Sequence, residues 1–306
     1  MNAMRGSQTT DTILMVRPGQ FGFNAETAST NIFQQDFSGK PAQTIHEKAL
    51  KEFDDFVQLL RDHKIYVLVL QDPGKLNTPD AIFLNNWISF HEDTIVLYPM
   101  LAENRRKERR SEWVAFLQQT LHSGNVIDFS GYEKQNQFLE GTGSLVLDRT
   151  HKIAYATRSS RTSEKLLNEF ADKMSYELVC FTATDNNGNE IYHTNVLMAI
   201  GEKTAVICSE MIRDEGERKM VLQKLTPNHE LIVITSQQLL QFAGNMLLVK
   251  NRDGEKFWVM SEQAFHSLTD SQIDILEKDG GFIHSPLKTI ETTGGGSARC
   301  MMAEIF

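Results

Sequence analysis

From Thr44 onward the apolar residues Ile45, Ala49, Leu50, Phe53, Phe56, Val57 and Leu60 recur at three- and four-residue steps, which places them on one face of an α-helix. Thr44 followed by Glu47 reads as a capping box at its start. Similar amphipathic patterns predict helices near 104–121, 162–174, 213–225 and 262–278, the last opened by Ser261 and broken near Leu268 and Thr269. Short apolar runs at 12–16, 65–70, 94–97, 126–129, 144–147, 177–181, 204–208, 231–235 and 282–284 have the length of strands. The helix centres recur roughly every 50 to 60 residues, the kind of period that marks a propeller or an array. An open α/β sheet also alternates strands and helices. Tight strand pairs such as the one around Asp148 to Lys152 point instead to antiparallel hairpins inside each unit, and five such units fit the length. Residues 1–11 are polar and carry no period, so they are expected to be flexible. No Pro-, Ser- or Gln-rich linker divides 12–306, which is therefore expected to be one α/β domain.

With 306 residues, 41% hydrophobic and 23% charged, the composition is that of a globular protein with a sizeable core. No stretch approaches the apolar length of a membrane helix. Lys and Arg number 31 against 40 Asp and Glu, a formal charge of -9, so a large phosphate-binding surface and a nucleic-acid partner are not expected. Cys180, Cys208 and Cys300 are too few and too widely spaced for a disulfide framework or a zinc site. Without the apolar run of a signal peptide, a cytoplasmic protein with reduced thiols is expected.

Two glycine-rich stretches invite a nucleotide reading, and both fail. Glu140-Gly141-Thr142-Gly143-Ser144 runs into a predicted strand, not a helix, and Gly294-Gly295-Gly296-Ser297 leaves no room for a following βαβ unit. The second stretch leads to Cys300. Whereas Cys180 and Cys208 sit among large apolar neighbours, as packing cysteines do, Cys300 follows glycines, Ser297 and Arg299. Glycines let backbone approach a ligand, and a nearby cation lowers a thiol pKa, so the local sequence suits a nucleophile. The alternative is a buried cysteine of a C-terminal strand. Among nine histidines, His46, His63, His91 and His122 lie beside charged or helical positions where a solvated surface is the default. His193 instead opens an apolar run, at the mouth of a predicted strand with Asn195 on the same side. Glu140, between Phe138-Leu139 and Gly141-Thr142-Gly143, is the carboxylate that completes a Cys/His/Glu set.

The order Phe83-Leu84-Asn85-Asn86, Leu139-Glu140-Gly141-Thr142-Gly143, His193-Thr194-Asn195 and Gly294-Gly295-Gly296-Ser297-Ala298-Arg299-Cys300 resembles the signature motifs of the guanidino-group-modifying, or pentein, superfamily. That superfamily includes arginine deiminases, dimethylarginine hydrolases and amidinotransferases. Through Val16-Arg17-Pro18, Phe21, Asn24, Glu26 and the Cys300 ending, the chain is most similar to the citrulline-utilisation hydrolase type. The resemblance implies a five-bladed α/β propeller of ββαβ units. It makes Cys300 the nucleophile, His193 the general acid and base, and Glu140 the carboxylate that orients the histidine. It also places Asn85, Asn86 and Asn195 against the substrate, matches Asp80 to a group that holds an α-amino group, and matches Arg106 and Arg161 to arginines that hold an α-carboxylate. For Arg106, in a charged helical run, a solvated face is an equal reading. Asn245 resembles a buried asparagine under the site, with a structural role.

The chain departs from the arginine deiminase pattern in a consistent way. Asn86 and Asn195 stand where those enzymes have aspartates, and Gly143 replaces the last acid of the second motif. A guanidinium deprived of its carboxylates loses about 3–5 kcal/mol, whereas an amide both donates and accepts, which suits a neutral ureido group. The expected activity is hydrolysis of a C–N bond in a citrulline- or arginine-like amino acid, with no cofactor and no metal. An amidinotransferase, a dimethylarginine-type hydrolase and a non-catalytic binding propeller are the rivals. A small amino acid is the expected partner, with at most a second copy of the chain in a homodimer and no membrane.

Overall fold

The structure, a computed structural model, describes residues 6–35 and 41–306. Among the described residues, fifteen strands form five three-stranded sheets. The first contains β1 (Thr12–Arg17) and β2 (Tyr66–Gln71); the second β3 (Ile88–His91), β4 (Thr94–Leu97) and β5 (Asn125–Asp128); the third β6 (Val146–Asp148), β7 (Ile153–Thr157) and β8 (Glu177–Phe181). The fourth contains β9 (Met198–Ile200), β10 (Thr204–Ile207) and β11 (Glu230–Val233), and the fifth β12 (Leu247–Lys250), β13 (Lys256–Ser261) and β14 (Gly281–Ser285). β15 (Ala303–Ile305) returns to the first sheet and pairs antiparallel with β1, Thr12 opposite Ile305.

All five sheets repeat one connection. A hairpin joins an innermost strand to the middle strand, except in the first sheet, where the chain's end supplies the innermost strand. A helix then carries the chain to a third strand parallel to the middle one, as a parallel crossover requires. Burial follows the same order. The innermost strands β3, β6, β9 and β15 are buried throughout, while β2, β5 and β11 show exposed positions. β15 packs against β3, β6 against β9 and β9 against β12, so the innermost strands meet one another at the centre. The α/β class expected from the pattern is the one adopted.

The helices form where periodicity predicted them. Ala42–Asp62 buries Ile45, Ala49, Phe53, Phe56, Val57 and Leu60 against the first and fifth sheets. It starts two residues before Thr44, after Pro41, and has no side-chain cap. The capping box is therefore not made, because Thr44 lies within the first turn and not at the N-cap. The helix expected at 104–121 divides into Glu103–Arg106 and Ser111–Thr120. No apolar side chain anchors the stretch between them, and Arg105, Glu108 and Arg109 turn inward to buried polar partners. Of the segment 1–11, residues 1–5 lie outside the described residues. Gln8, Thr9 and Thr10 are buried, with Gln8 donating to the Leu147 and Ile200 carbonyls and Thr10 to that of Ile305.

Candidate active site

Each sheet presents a turn just before its innermost strand, and these turns carry the candidate residues. They are Leu84–Asn86 before β3, Gly141–Ser144 before β6, Thr194–Leu197 before β9, the Phe242 to Asn245 turn before β12, and Ala298–Met301 before β15. The second packs on the first and third, and the first on the last. Residues 85 to 300 in sequence thus become neighbours because one local device repeats at the same end of every innermost strand. His193 does not open a strand, as expected, but precedes one helical turn that leads into β9.

Cys300 is buried, 3% exposed. Its Sγ receives the Nδ2 of Asn245 at 3.2 Å and that of Asn195 at 3.5 Å. Asn245 also donates to the Asn195 carbonyl at 2.8 Å and accepts from the Arg299 N–H at 3.1 Å, so it ties the cysteine turn to the histidine turn. The expectation of a thiol acidified by Arg299 is corrected: that guanidinium turns to Glu304 and the Met302 carbonyl. Burial pushes the thiol up, and the two asparagines and the Arg299 charge oppose this without overcoming it. The glycines there make room for an aromatic ring. A Cβ on Gly294 or Gly296 would meet the Phe83 ring at 2.8 Å.

The Nε2 of His193 lies 2.9 Å from Glu140 Oε2. Burial alone would raise Glu140, but the Arg161 charge and the histidine hydrogen bond hold it down to about 2. An ionised Glu140 accepts the Nε2 proton, which leaves the Nδ1 lone pair of the neutral ring free. Burial, with the Arg161 and Arg105 charges, brings His193 down to about 4 despite Glu140. Glu140 Oε1 accepts from the Leu101 N–H at 3.0 Å. A Cβ on Gly143 would clash with Asn86 Nδ2 and lie 2.8 Å from His193 Nδ1, so the glycine there admits the imidazole. The Gly-Thr-Gly sequence makes space for side chains and does not cradle a phosphate.

Arg161 joins this cluster. It is buried, 3.5 Å from Glu140 Oε2, stacked 4.8 Å from the Tyr192 ring centre, and donates to the Thr27 carbonyl and to Thr30 Oγ1 at 2.6 Å. Asp80 is buried as well. Its Oδ2 accepts from Asn24 at 2.7 Å and Thr27 at 3.2 Å, whereas Oδ1 has no partner among the described residues. Burial raises its pKa against the Arg105 charge. Arg106 is not brought to Arg161; it donates to the Met100 and Leu101 carbonyls, each at 3.0 Å, and so fixes the turn whose Leu101 N–H holds Glu140.

Sequence reasoning passed over Arg105, which is 2% exposed. It pairs with Glu108 at 2.9 and 3.0 Å and donates to Asn86 Oδ1 at 2.7 Å and to the Phe83 carbonyl at 3.0 Å. Burial raises Glu108 to about 7 against that pairing. In a run of charges nothing marks which arginine points inward; the acid three residues later was the only available signal. Asn86 Nδ2 donates to Asn85 Oδ1 at 3.0 Å, and Asn85 Nδ2 is buried without a partner. Tyr192, also passed over, donates to the Gly295 carbonyl at 2.7 Å. His91 is not a surface histidine: it is buried against Ser89, Arg149 and the Phe170 ring.

The family model for eukaryotic N,N-dimethylarginine dimethylhydrolase matches residues 17–306. No curated protein matches the chain. The substrate-bound N-terminal domain of ArgZ, an arginine dihydrolase from the ornithine-ammonia cycle in cyanobacteria, superposes with a TM-score of 0.75 at 16% identity, over 96% of this chain and 97% of that one. Against ArgZ in its longer apo form the TM-score is 0.76, and only 40% of that chain is covered. DDAH from Pseudomonas aeruginosa, complexed with citrulline, gives 0.66 at 13% identity over 97% and 100% of the two chains. At such identities the structural likeness concerns the fold. The family match, which spans all five of the site-bearing turns, goes further: this chain belongs to the N,N-dimethylarginine dimethylhydrolase family of the pentein superfamily.

Proposed function

We propose that this protein hydrolyses a C–N bond in the ureido group of a small, citrulline-like amino acid through a covalent adduct on Cys300, the five sheets being blades of one propeller around the site. The observation that carries the substrate reading is the pairing of Asn86 with Arg105. With its Oδ1 taken by the guanidinium at 2.7 Å, Asn86 turns its Nδ2 toward Gly143 and His193. A donor at that point suits a carbonyl oxygen and repels a guanidinium, whose five N–H groups accept nothing. An aspartate there would present a second acceptor instead.

The chemistry follows from the proton inventory. Cys300 begins as a thiol and His193 as a neutral imidazole. As Sγ bonds to the ureido carbon, its proton passes to His193 Nδ1, and Asn195 and Asn245 support the charge that develops on sulfur. His193 then gives the proton to the departing nitrogen. Water, deprotonated at the same Nδ1, attacks the adduct carbon and expels Sγ, which takes the proton back from Nδ1 and so restores the thiol and the neutral imidazole. Glu140 holds Nε2–H throughout and balances the imidazolium. At the other end of the substrate, Arg161 suits an α-carboxylate, which would exchange for the Thr27 and Thr30 contacts. The unpartnered Oδ1 of Asp80 suits an ammonium. Asn85 Nδ2 is a further donor for substrate. Two neighbours bear on the same class, since one is an arginine dihydrolase and another holds citrulline.

The test is a screen of citrulline, arginine and methylated arginines that reads ammonia and urea, with acid-quenched samples weighed for added mass on the Cys300 peptide. The highest kcat/KM with a ureido compound and an adduct on Cys300 are expected. Higher kcat/KM with arginine or its methylated forms would replace the neutral-substrate reading. Turnover unaffected by Cys300→Ser would remove the nucleophile.

A further inference from the structure

At the end of the third sheet away from the active site, the β6–β7 hairpin carries Asp148 and His151, and the loop leading into β11 brings His229 beside them. We propose that Asp148, His151 and His229 bind a divalent transition-metal ion of the zinc class, which clamps the third and fourth sheets together.

The three residues offer ligand atoms that all lie within 4.8 Å of one another. His151 Nδ1 is 2.8 Å from Asp148 Oδ2, and His229 Nε2 is 3.6 Å from the same oxygen. Tetrahedral zinc with bonds of about 2.0–2.2 Å holds its ligand atoms roughly 3.3–3.5 Å apart, so small side-chain rotations close the set. The His229 side chain is 1% exposed, yet among the described residues Nδ1 has no hydrogen-bond partner, and Nε2 stands beyond hydrogen-bond range of Asp148. Buried imidazoles are ordinarily bonded at one nitrogen at least.

Two imidazoles and one carboxylate suit zinc, cobalt or nickel better than calcium or magnesium, which take oxygen ligands. The His151 side chain is 22% exposed, so the fourth position is open to water and ions can reach the site. The two rings stand nearly perpendicular, at 84° with centroids 5.7 Å apart, and do not stack against one another. Because Asp148 ends the β6 strand that starts just beyond Gly141–Ser144, the ion lies opposite the catalytic turns. A stabilising role fits this position, and none of the hydrolytic steps uses it.

Cys300 and His193 could also take up zinc, so binding is measured on Cys300→Ser protein stripped with a chelator. Dialysis against Zn(II) with metal analysis should give one equivalent. Co(II) should produce visible absorption of tetrahedral intensity, and the thermal midpoint should rise with either ion. His151→Ala, at a partly exposed position, should keep the metal-free melting temperature and lose at least about tenfold in affinity. His229→Asn, which keeps a polar group, should lose the Co(II) spectrum. No saturable uptake by the Cys300→Ser protein, or uptake that His151→Ala leaves unchanged, would overturn the proposal and leave a hydrogen-bonded His–Asp pair.

Discussion

Replacing Asn86 by Asp tests the substrate reading at one atom. The side chain keeps its shape, and the oxygen that accepts from Arg105 at 2.7 Å keeps that contact. The other terminal atom changes from a donor to a carboxylate oxygen facing Asn85 Oδ1, now 3.0 Å from Asn86 Nδ2. Asn85 can turn its amide, because its own Nδ2 is buried without a partner and would then find one. The fold should therefore tolerate Asn86→Asp, and the effect should fall on the substrate. A ureido oxygen that loses its donor and meets an acceptor loses about 1–3 kcal/mol. A guanidinium gains a counter-charge whose value, with Arg105 already beside it, we put at about 1 kcal/mol. Together, roughly 2–4 kcal/mol should move the ratio of kcat/KM for citrulline over arginine toward arginine, by about thirtyfold to a thousandfold. Ammonia release reports both reactions, and thermal melting checks the fold. Asn195 is left intact, since its amide donates to Cys300 Sγ and a carboxylate there would oppose the thiolate. A ratio that stays within about threefold of wild type, or moves toward citrulline, refutes the reasoning.

Further outcomes follow from the same contacts. His193→Ala and Glu140→Gln should each lower turnover by about two orders of magnitude or more while the protein still melts cooperatively, and a variant lost to unfolding would return His193 to a structural role. With His193 near 4 and the Cys300 thiol raised, kcat/KM should be flat across neutral pH and fall only as the imidazole protonates near pH 4. Alkylation of Cys300 by iodoacetamide should still be rising at pH 9, and a plateau at neutral pH would show a preformed thiolate–imidazolium pair. The same shift weakens the fold in acid: between pH 6.5 and about 4 the unfolded chain takes up a proton that native His193 refuses, so stability declines as pH falls through that window. Gly143→Ala should cut turnover about tenfold or more, because the added methyl meets His193 Nδ1 and Asn86 Nδ2; unchanged kinetics would show that the imidazole stands elsewhere in solution.

The sequence by itself determined the repeat and singled out the candidate reacting groups. Apolar spacing set helices such as Ala42–Asp62 and Glu164–Met174, whose buried faces are the ones the pattern picks out, because a 3.6-residue period is a local property. Cys300, His193 and Glu140 stood out because each broke the pattern around it: a cysteine among glycines, a histidine opening an apolar run, an acid between apolar residues and glycines. What decided between neighbours was tertiary. Arg105 and Arg106 are adjacent in one charged run, and only the packing of Glu103–Arg106 over the Leu84–Asn86 turn turns the first toward Asn86 and leaves the second on the Met100 and Leu101 carbonyls. The thiol pKa went the same way: Arg299 is next to Cys300 in sequence, but burial of the sulfur pushes the thiol up, and the Arg299 charge, turned to Glu304, opposes this without overcoming it. His229 lies far along the chain from Asp148 and His151, and only the apposition of the third and fourth sheets joins them. Charge and burial act through space, so the direction of a side chain, and with it the pKa of its neighbour, is fixed only when the sheets have met.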